Sequence, residues 1–189
     1  MEIVSGILRG MPLRSPSGLT ARPTAVRARQ ALFDSLGELD GLAVADLFAG
    51  TGAVGLEAAS RGAASVLFVD AQKSSCNTIK ANCAKAETIA ETAGFEILSG
   101  TLPLCCKRLA AHAKPDLIFA DPPYAESMEL LAGMLADKDF SEWASNALLV
   151  WEAPSNKGGL TPPPPHWKLE TIREFGGAKF LFLRRNPEA

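Results

Sequence analysis

Val44-Ala45-Asp46-Leu47-Phe48-Ala49-Gly50-Thr51-Gly52-Ala53-Val54-Gly55-Leu56-Glu57-Ala58 runs from an apolar stretch through a glycine-rich turn into an Ala- and Leu-rich helical pattern. Gly50 and Gly52 free the turn to take positive φ and bring bare backbone against a ligand. Gly55 removes a side chain where the new helix presses on the sheet. The helix amino terminus then offers unpaired N–H groups to whatever binds. Spaced glycines also occur in ordinary strand–helix connections, so this stretch sets the fold class before it sets the function.

Working outward, the spacing predicts strands over 44–48, 65–70, 95–98, 116–120, 147–152, 167–173 and 179–184. The early runs are short and almost continuously apolar, as buried parallel strands are. Helices are expected over 55–60, 72–92, 102–111 and 126–136. The last two strands are joined by Glu174-Phe175-Gly176-Gly177, too short for a crossover helix, so they should be antiparallel. Upstream, Pro23 favours an extended Arg22 and Thr24 caps a helix reaching Leu36, with Val26, Leu32, Phe33 and Leu36 inward. Residues 1–21 are too punctuated by Gly and Pro for a long helix and read as a hairpin or arm. The expectation is one α/β domain over 1–189, a mostly parallel seven-stranded sheet ending in an antiparallel pair.

A chain of 189 residues is long enough for one domain with a substantial core. Apolar content of 47% against 21% charged excludes a disordered class. No apolar run approaches the roughly 20 residues that span a bilayer. Met1-Glu2-Ile3-Val4-Ser5-Gly6-Ile7 lacks a signal-peptide pattern, so a cytoplasmic location is expected. Cys76, Cys83, Cys105 and Cys106 form no C-x-x-C pair and read as small buried thiols, and no metal cluster suggests itself. The net charge of −2 hides an asymmetry. Arg9, Arg14, Arg22, Arg27 and Arg29 face only Glu2 in the first thirty residues, a basic leader suited to a polyanion or to plain solubility.

The site reading rests on three strand ends. Asp70 lies twenty residues after Gly50, where a carboxylate can accept hydrogen bonds from both hydroxyls of a ribose. Gly50-Thr51-Gly52-Ala53-Val54-Gly55 matches the dinucleotide fingerprint literally, so glycine spacing alone does not separate nicotinamide from adenosyl cofactors. Asp46 tilts the choice: a carboxylate there repels a pyrophosphate but suits the charged amino-acid end of S-adenosylmethionine. The fourth strand delivers Asp121-Pro122-Pro123-Tyr124, a motif far rarer by chance than the glycine loop. Its prolines fix φ and remove amide donors, leaving carbonyls for a donor such as –NH2.

Asp46-x-Phe48-Ala49-Gly50-Thr51-Gly52-x-x-Gly55-Leu56-Glu57-Ala58 together with Asp121-Pro122-Pro123-Tyr124 resembles the S-adenosylmethionine-dependent methyltransferases that modify exocyclic or amide nitrogens. Gly6-x-x-Arg9-Gly10, the run Arg22 to Phe33, Arg61-Gly62-Ala63, Glu152 and the Pro-rich turn before Trp167 narrow the resemblance. It is close to the bacterial small-subunit ribosomal RNA guanine-N2 methyltransferases and covers nearly the whole chain. The resemblance implies a Rossmann-like methyltransferase fold, methylation of the exocyclic N2 of a guanine in 16S ribosomal RNA, and a monomer acting on small-subunit particles. Carried over, Asp46, Gly50 and Gly52 border the methionine part of the cofactor, Asp70 the ribose, and Thr101 the adenine. Asp121 and the Pro122 carbonyl hold the guanine amine, Pro123 belongs to the substrate-binding loop, and Tyr124 stacks on the base. Arg9, Arg22, Arg27 and Arg29 face the RNA. Asp121 acts either as a general base or only as a positioner.

This sequence departs from the family pattern at Thr101, where Asp or Asn is usual, and at Met11, where a basic residue commonly follows Arg-Gly. Adenine-N6 methylation of DNA or RNA is the nearest alternative activity. A non-catalytic RNA-binding factor with the same fold follows, and a nicotinamide oxidoreductase is more distant.

Overall fold

A computed structural model describes residues 1–15, 23–123, 125–154 and 162–186. The strands are β1 (Ala43–Leu47), β2 (Ser65–Asp70), β3 (Gly94–Ser99), β4 (Leu117–Ala120), β5 (Leu148–Ala153), β6 (Trp167–Phe175) and β7 (Ala178–Arg185). They form one sheet in the order β3-β2-β1-β4-β5-β7-β6. The first five are parallel, and β7 runs antiparallel to both β5 and β6. This is the mostly parallel seven-stranded sheet with a closing antiparallel pair that the apolar runs predicted.

The helices are α1 (Pro23–Leu36), α2 (Ala53–Ser60), α3 (Lys73–Ile89), α4 (Cys106–Leu109), α5 (Ser127–Ala136) and α6 (Lys138–Trp143). Successive strand residues alternate between faces, and each face has its own core. Val44, Phe119 and Val150 meet Leu32, Phe33, Leu56 and Ile79 on the α1–α3 side. Ala45, Leu47, Ile118 and Trp151 meet Leu109, Met134 and Phe140 on the α4–α6 side. The sequence reading missed α6, which is too short to show a period. Its signal was Asp137, whose side chain accepts the Phe140 N–H at 2.8 Å. Pro23 already occupies the first helical position of α1, one residue before the expected Thr24 cap. The expected helix over 102–111 is a turn followed by the single-turn α4, because the Cys106, Arg108 and Ala111 N–H groups reach carbonyls three residues back, those of Pro103, Cys105 and Arg108.

Residues 1–15 fold back on themselves and onto α2. Ile3 N–H donates to the Met11 carbonyl at 3.1 Å, and Gly10 N–H returns to the Ile3 carbonyl at 2.9 Å. Ile3, Leu8, Met11 and Leu13 are buried in the α1–α3 core. Gly6 explains part of the Gly6-x-x-Arg9-Gly10 motif: at φ 77° it lies so close to α2 that a Cβ would sit 1.8 Å from the Ser60 carbonyl oxygen. Polar anchoring comes from Glu57, fully buried on α2. Its carboxylate accepts the Val4 and Ser5 N–H groups at 2.9 and 3.0 Å and Arg61 Nε at 3.0 Å, with Arg29 Nε 3.7 Å away. Two cations and two amides thus offset the cost of burying one carboxylate.

Removing that carboxylate leaves Arg29 buried without its counter-charge and strips two backbone donors. Glu57→Ala should lower the unfolding free energy by about 3–5 kcal/mol, measured by urea denaturation.

Candidate active site

The site forms at the carboxyl ends of β1, β2 and β4, the neighbouring central strands of the sheet. Chain direction changes sharply after β1: Phe48 takes φ 59°, and Gly50 and Gly52 take φ 54° and 74°. For Phe48 a left-handed conformation costs roughly 1–2 kcal/mol. Its ring packs edge-on against the buried Trp151 at 5.9 Å, and Trp151 Nε1 donates to Ser127 Oγ at 2.9 Å.

Two carboxylates fix the loop. Asp70 Oδ2 accepts the Gly50 N–H at 2.8 Å, and its Oδ1 accepts the Gln72 N–H at 2.8 Å. Each oxygen keeps lone-pair capacity for a ribose hydroxyl. Asp46 Oδ2 accepts the Gly55 N–H at 2.8 Å and so captures an orphan donor in the first turn of α2. The three glycines divide their work. A Cβ on Gly50 would meet only the Phe48 carbonyl oxygen at 4.0 Å, so the loop is open on that side. A Cβ on Gly52 would come within 3.2 Å of Phe68 and 3.3 Å of Ile79. On Gly55 it would be 2.4 Å from Phe68 and 2.7 Å from Val66, the helix–sheet closeness expected from the sequence.

Asp46 is 3% exposed, and its carboxyl holds the first turn of α2 through the Gly55 N–H. Burial, together with the nearby Asp121 and Asp70 charges, pushes its carboxyl up to about 8 against the pull of the Gly55 hydrogen bond. Burial thus favours the protonated form of Asp46, and the charges of Asp121 and Asp70 both reach it. Gly52 likewise serves turn geometry: its N–H is taken by the Ala49 carbonyl at 2.7 Å.

Asp121 is exposed immediately after β4, Pro122 is buried and Pro123 is exposed. The Pro123 carbonyl accepts the Glu126 N–H at 3.1 Å, which turns the chain into α5. Thr101 is exposed beyond β3, and the adjoining Gly100 N–H donates to the Asp70 carbonyl at 3.0 Å, tying that rim to the end of β2. Tyr124 and Arg22 lie outside the described residues, as does Thr161. Arg9 and Arg27 are exposed. Arg29 is not: it is 7% exposed, and its Nη2 donates to the Glu2 carbonyl at 2.8 Å. Burial lowers its pKa, opposed by Glu57. Helical phase explains the difference, since residues two apart point about 200° from each other. The same phase argument was available from the sequence.

Of the thiols, Cys83, Cys105 and Cys106 are buried and Cys76 is half-buried. Burial raises Cys83 and Cys106 to about 12, so both are inert thiols at neutral pH. The sequence reading missed two polar residues, Glu57 and Asn82, because their partners are backbone groups about fifty and seventy residues away along the chain.

The sign of the Asp46 shift has a consequence. The unfolded carboxyl releases its proton near 3.8 and the folded one near 8, so between those values unfolding releases a proton and rising pH removes stability. Asp46→Asn keeps an acceptor for Gly55 without the proton. Its stability should gain on wild type by about 1.4 kcal/mol per pH unit between pH 5 and 7.5 in urea titrations, and a constant gap would refute the assignment.

The chain matches the family described as Conserved hypothetical protein 95 over residues 1–184. It is 26% identical to Ribosomal RNA small subunit methyltransferase D of Escherichia coli, covering 100% of this chain and 91% of that protein. The protein of the same name from Haemophilus influenzae is 30% identical, over 89% of this chain and 86% of its own. Among solved structures, yhhF from Escherichia coli aligns with a TM-score of 0.72 at 25% identity, covering 98% of both chains. With a family match across nearly its full length, the chain belongs to the Conserved hypothetical protein 95 family, that of the ribosomal RNA small subunit methyltransferase D proteins.

Proposed function

We infer that this protein uses S-adenosylmethionine to methylate ribosomal RNA, and we propose the exocyclic N2 of a guanine in 16S RNA of the small subunit as its target. The observation that carries the reading is the pair of exposed-side carboxylates, Asp70 and Asp121, flanking a glycine loop that is open at Gly50. The residues fit the cofactor. Asp70 has acceptor capacity for the ribose, the open side of Gly50 admits close approach, and net negative charge suits a sulfonium. When bound, the cofactor supplies a methyl group already activated by that positive charge.

What remains for the protein is alignment. Asp121 accepts a hydrogen bond from the guanine amine and directs the nitrogen lone pair towards the methyl carbon. With the cofactor bound, the Asp121 carboxylate or water would take up the surplus proton of the amine. The Pro122 carbonyl is a second acceptor for the amine, and Pro123 lies against the base. Tyr124 is proposed to stack on the base once it has left its neighbours, and Thr101 to accept from adenine. Arg9, Arg22 and Arg27 are proposed to contact phosphates. The relatives' names support a small-subunit substrate. A net charge of −2 favours recognition of shape on an assembled particle over gross attraction to RNA.

Incubating the protein with labelled cofactor and unmethylated small subunits should yield N2-methylguanosine on nucleoside analysis. N6-methyladenosine would instead assign the alternative activity, and no modified nucleoside would overturn the reading. Asp121→Ala should lower kcat by about 100-fold or more with little change in cofactor affinity by calorimetry. Arg27→Ala should weaken particle binding at unchanged stability, whereas Arg29→Ala should lower the melting temperature.

A further inference from the structure

Asn82 is a fully buried polar side chain on α3, at 0% exposure. Its Oδ1 accepts the Arg14 N–H at 2.9 Å, and its Nδ2 donates to the Arg14 carbonyl at 3.1 Å and to the Thr51 carbonyl at 3.0 Å. One planar amide therefore grips the backbone of the amino-terminal arm as a neighbouring strand would, and spends its other donor on the glycine loop. Thr51 lies between Gly50, which Asp70 holds, and Gly52, which starts α2. Arg14 keeps its side chain exposed while its backbone is pinned, so a cation is presented to solvent from the point where arm and loop meet.

We propose that Asn82 is a positioning residue that couples these two elements, so that RNA held through the arm and cofactor held by the glycine loop bind with positive cooperativity. The proposal rests on the functional reading above. Its physical basis is the shared amide: displacing Arg14 relative to Thr51 breaks a hydrogen bond in a buried place where water does not replace it. RNA that immobilises Arg14, and with it Asn82, has already met part of the ordering cost the loop would otherwise bear when cofactor binds. The effect is reciprocal, since coupling between two binding equilibria has one value in both directions.

The neighbouring arm contacts provide a control. Lys85, one turn further along α3, donates from Nζ to the Pro12 carbonyl at 3.0 Å, and Glu57 and Ser60 hold Val4, Ser5 and Leu8. These bonds hold the arm and, unlike those of Asn82, do not reach the glycine loop. Loss of arm docking alone and loss of the arm-to-loop link are therefore separable.

The test is the dissociation constant of tritiated S-adenosylhomocysteine, measured by equilibrium dialysis with and without saturating unmethylated small ribosomal subunits. Wild type should bind about tenfold more tightly with subunits. Asn82→Ala should lose most of that gain, and Lys85→Ala should keep it. Wild-type affinity indifferent to subunits, cooperativity retained in Asn82→Ala, or equal loss in both variants would each overturn the proposal. Wild type that binds neither subunits nor S-adenosylhomocysteine would instead overturn the functional reading. Should Asn82→Ala fail to fold, hydrogen exchange of wild type reads the same link. Subunits alone should slow exchange of the 49–55 amides, and unchanged exchange would overturn the proposal.

Discussion

The hydrogen bond from Gly55 N–H to the buried Asp46 carboxyl is the constraint on which the site depends. A strand that ends and a helix that begins within a few residues leave several amides without intrahelical partners. Asp46 satisfies one from inside the sheet, and Asp70 takes the Gly50 amide from the next strand. Between them the loop is held at both ends while its open side stays clear. Glycine is required for two different reasons along this loop. Gly55 is squeezed against Phe68 and Val66, whereas Gly50 combines positive φ with empty space.

The same helix that starts under Asp46 carries Glu57 and Ser60 on its buried side, and these fasten the amino-terminal arm. Helix α2 is therefore shared by two surfaces, with the glycine loop at its start and the arm near its end. Asn82 adds a direct bond between them. Charge is distributed in a matching way. Arg29 and Arg61 neutralise a structural carboxylate inside, while Arg9, Arg14 and Arg27 remain exposed.

Most of the fold was legible because parallel strands buried on both faces write near-continuous apolar runs, and the glycine loop and the Asp-Pro-Pro-Tyr motif fall at strand ends. The missed helix α6 and the truncated α4 are short elements whose hydrogen bonds come from one cap or one turn, which leave no period. At the site, residue identity was legible and orientation was not. Asp46, Asp70 and Asp121 all read as strand-end acids, yet Asp46 is buried with its carboxyl on the Gly55 amide, and burial raises its pKa.

The sequence by itself determined the strand order's raw material, the glycine loop, the Asp-Pro-Pro-Tyr motif and the basic leader, because each is a local pattern of residue types. Only the tertiary structure decided which polar groups face solvent and which face backbone. Arg29 turned inward because helical phase opposes it to Arg27, and Glu57 and Asn82 acquired their roles from arm backbone brought against α2 and α3 by folding. Burial is a property of what packs around a side chain, and for these three the packing partners lie far away along the chain.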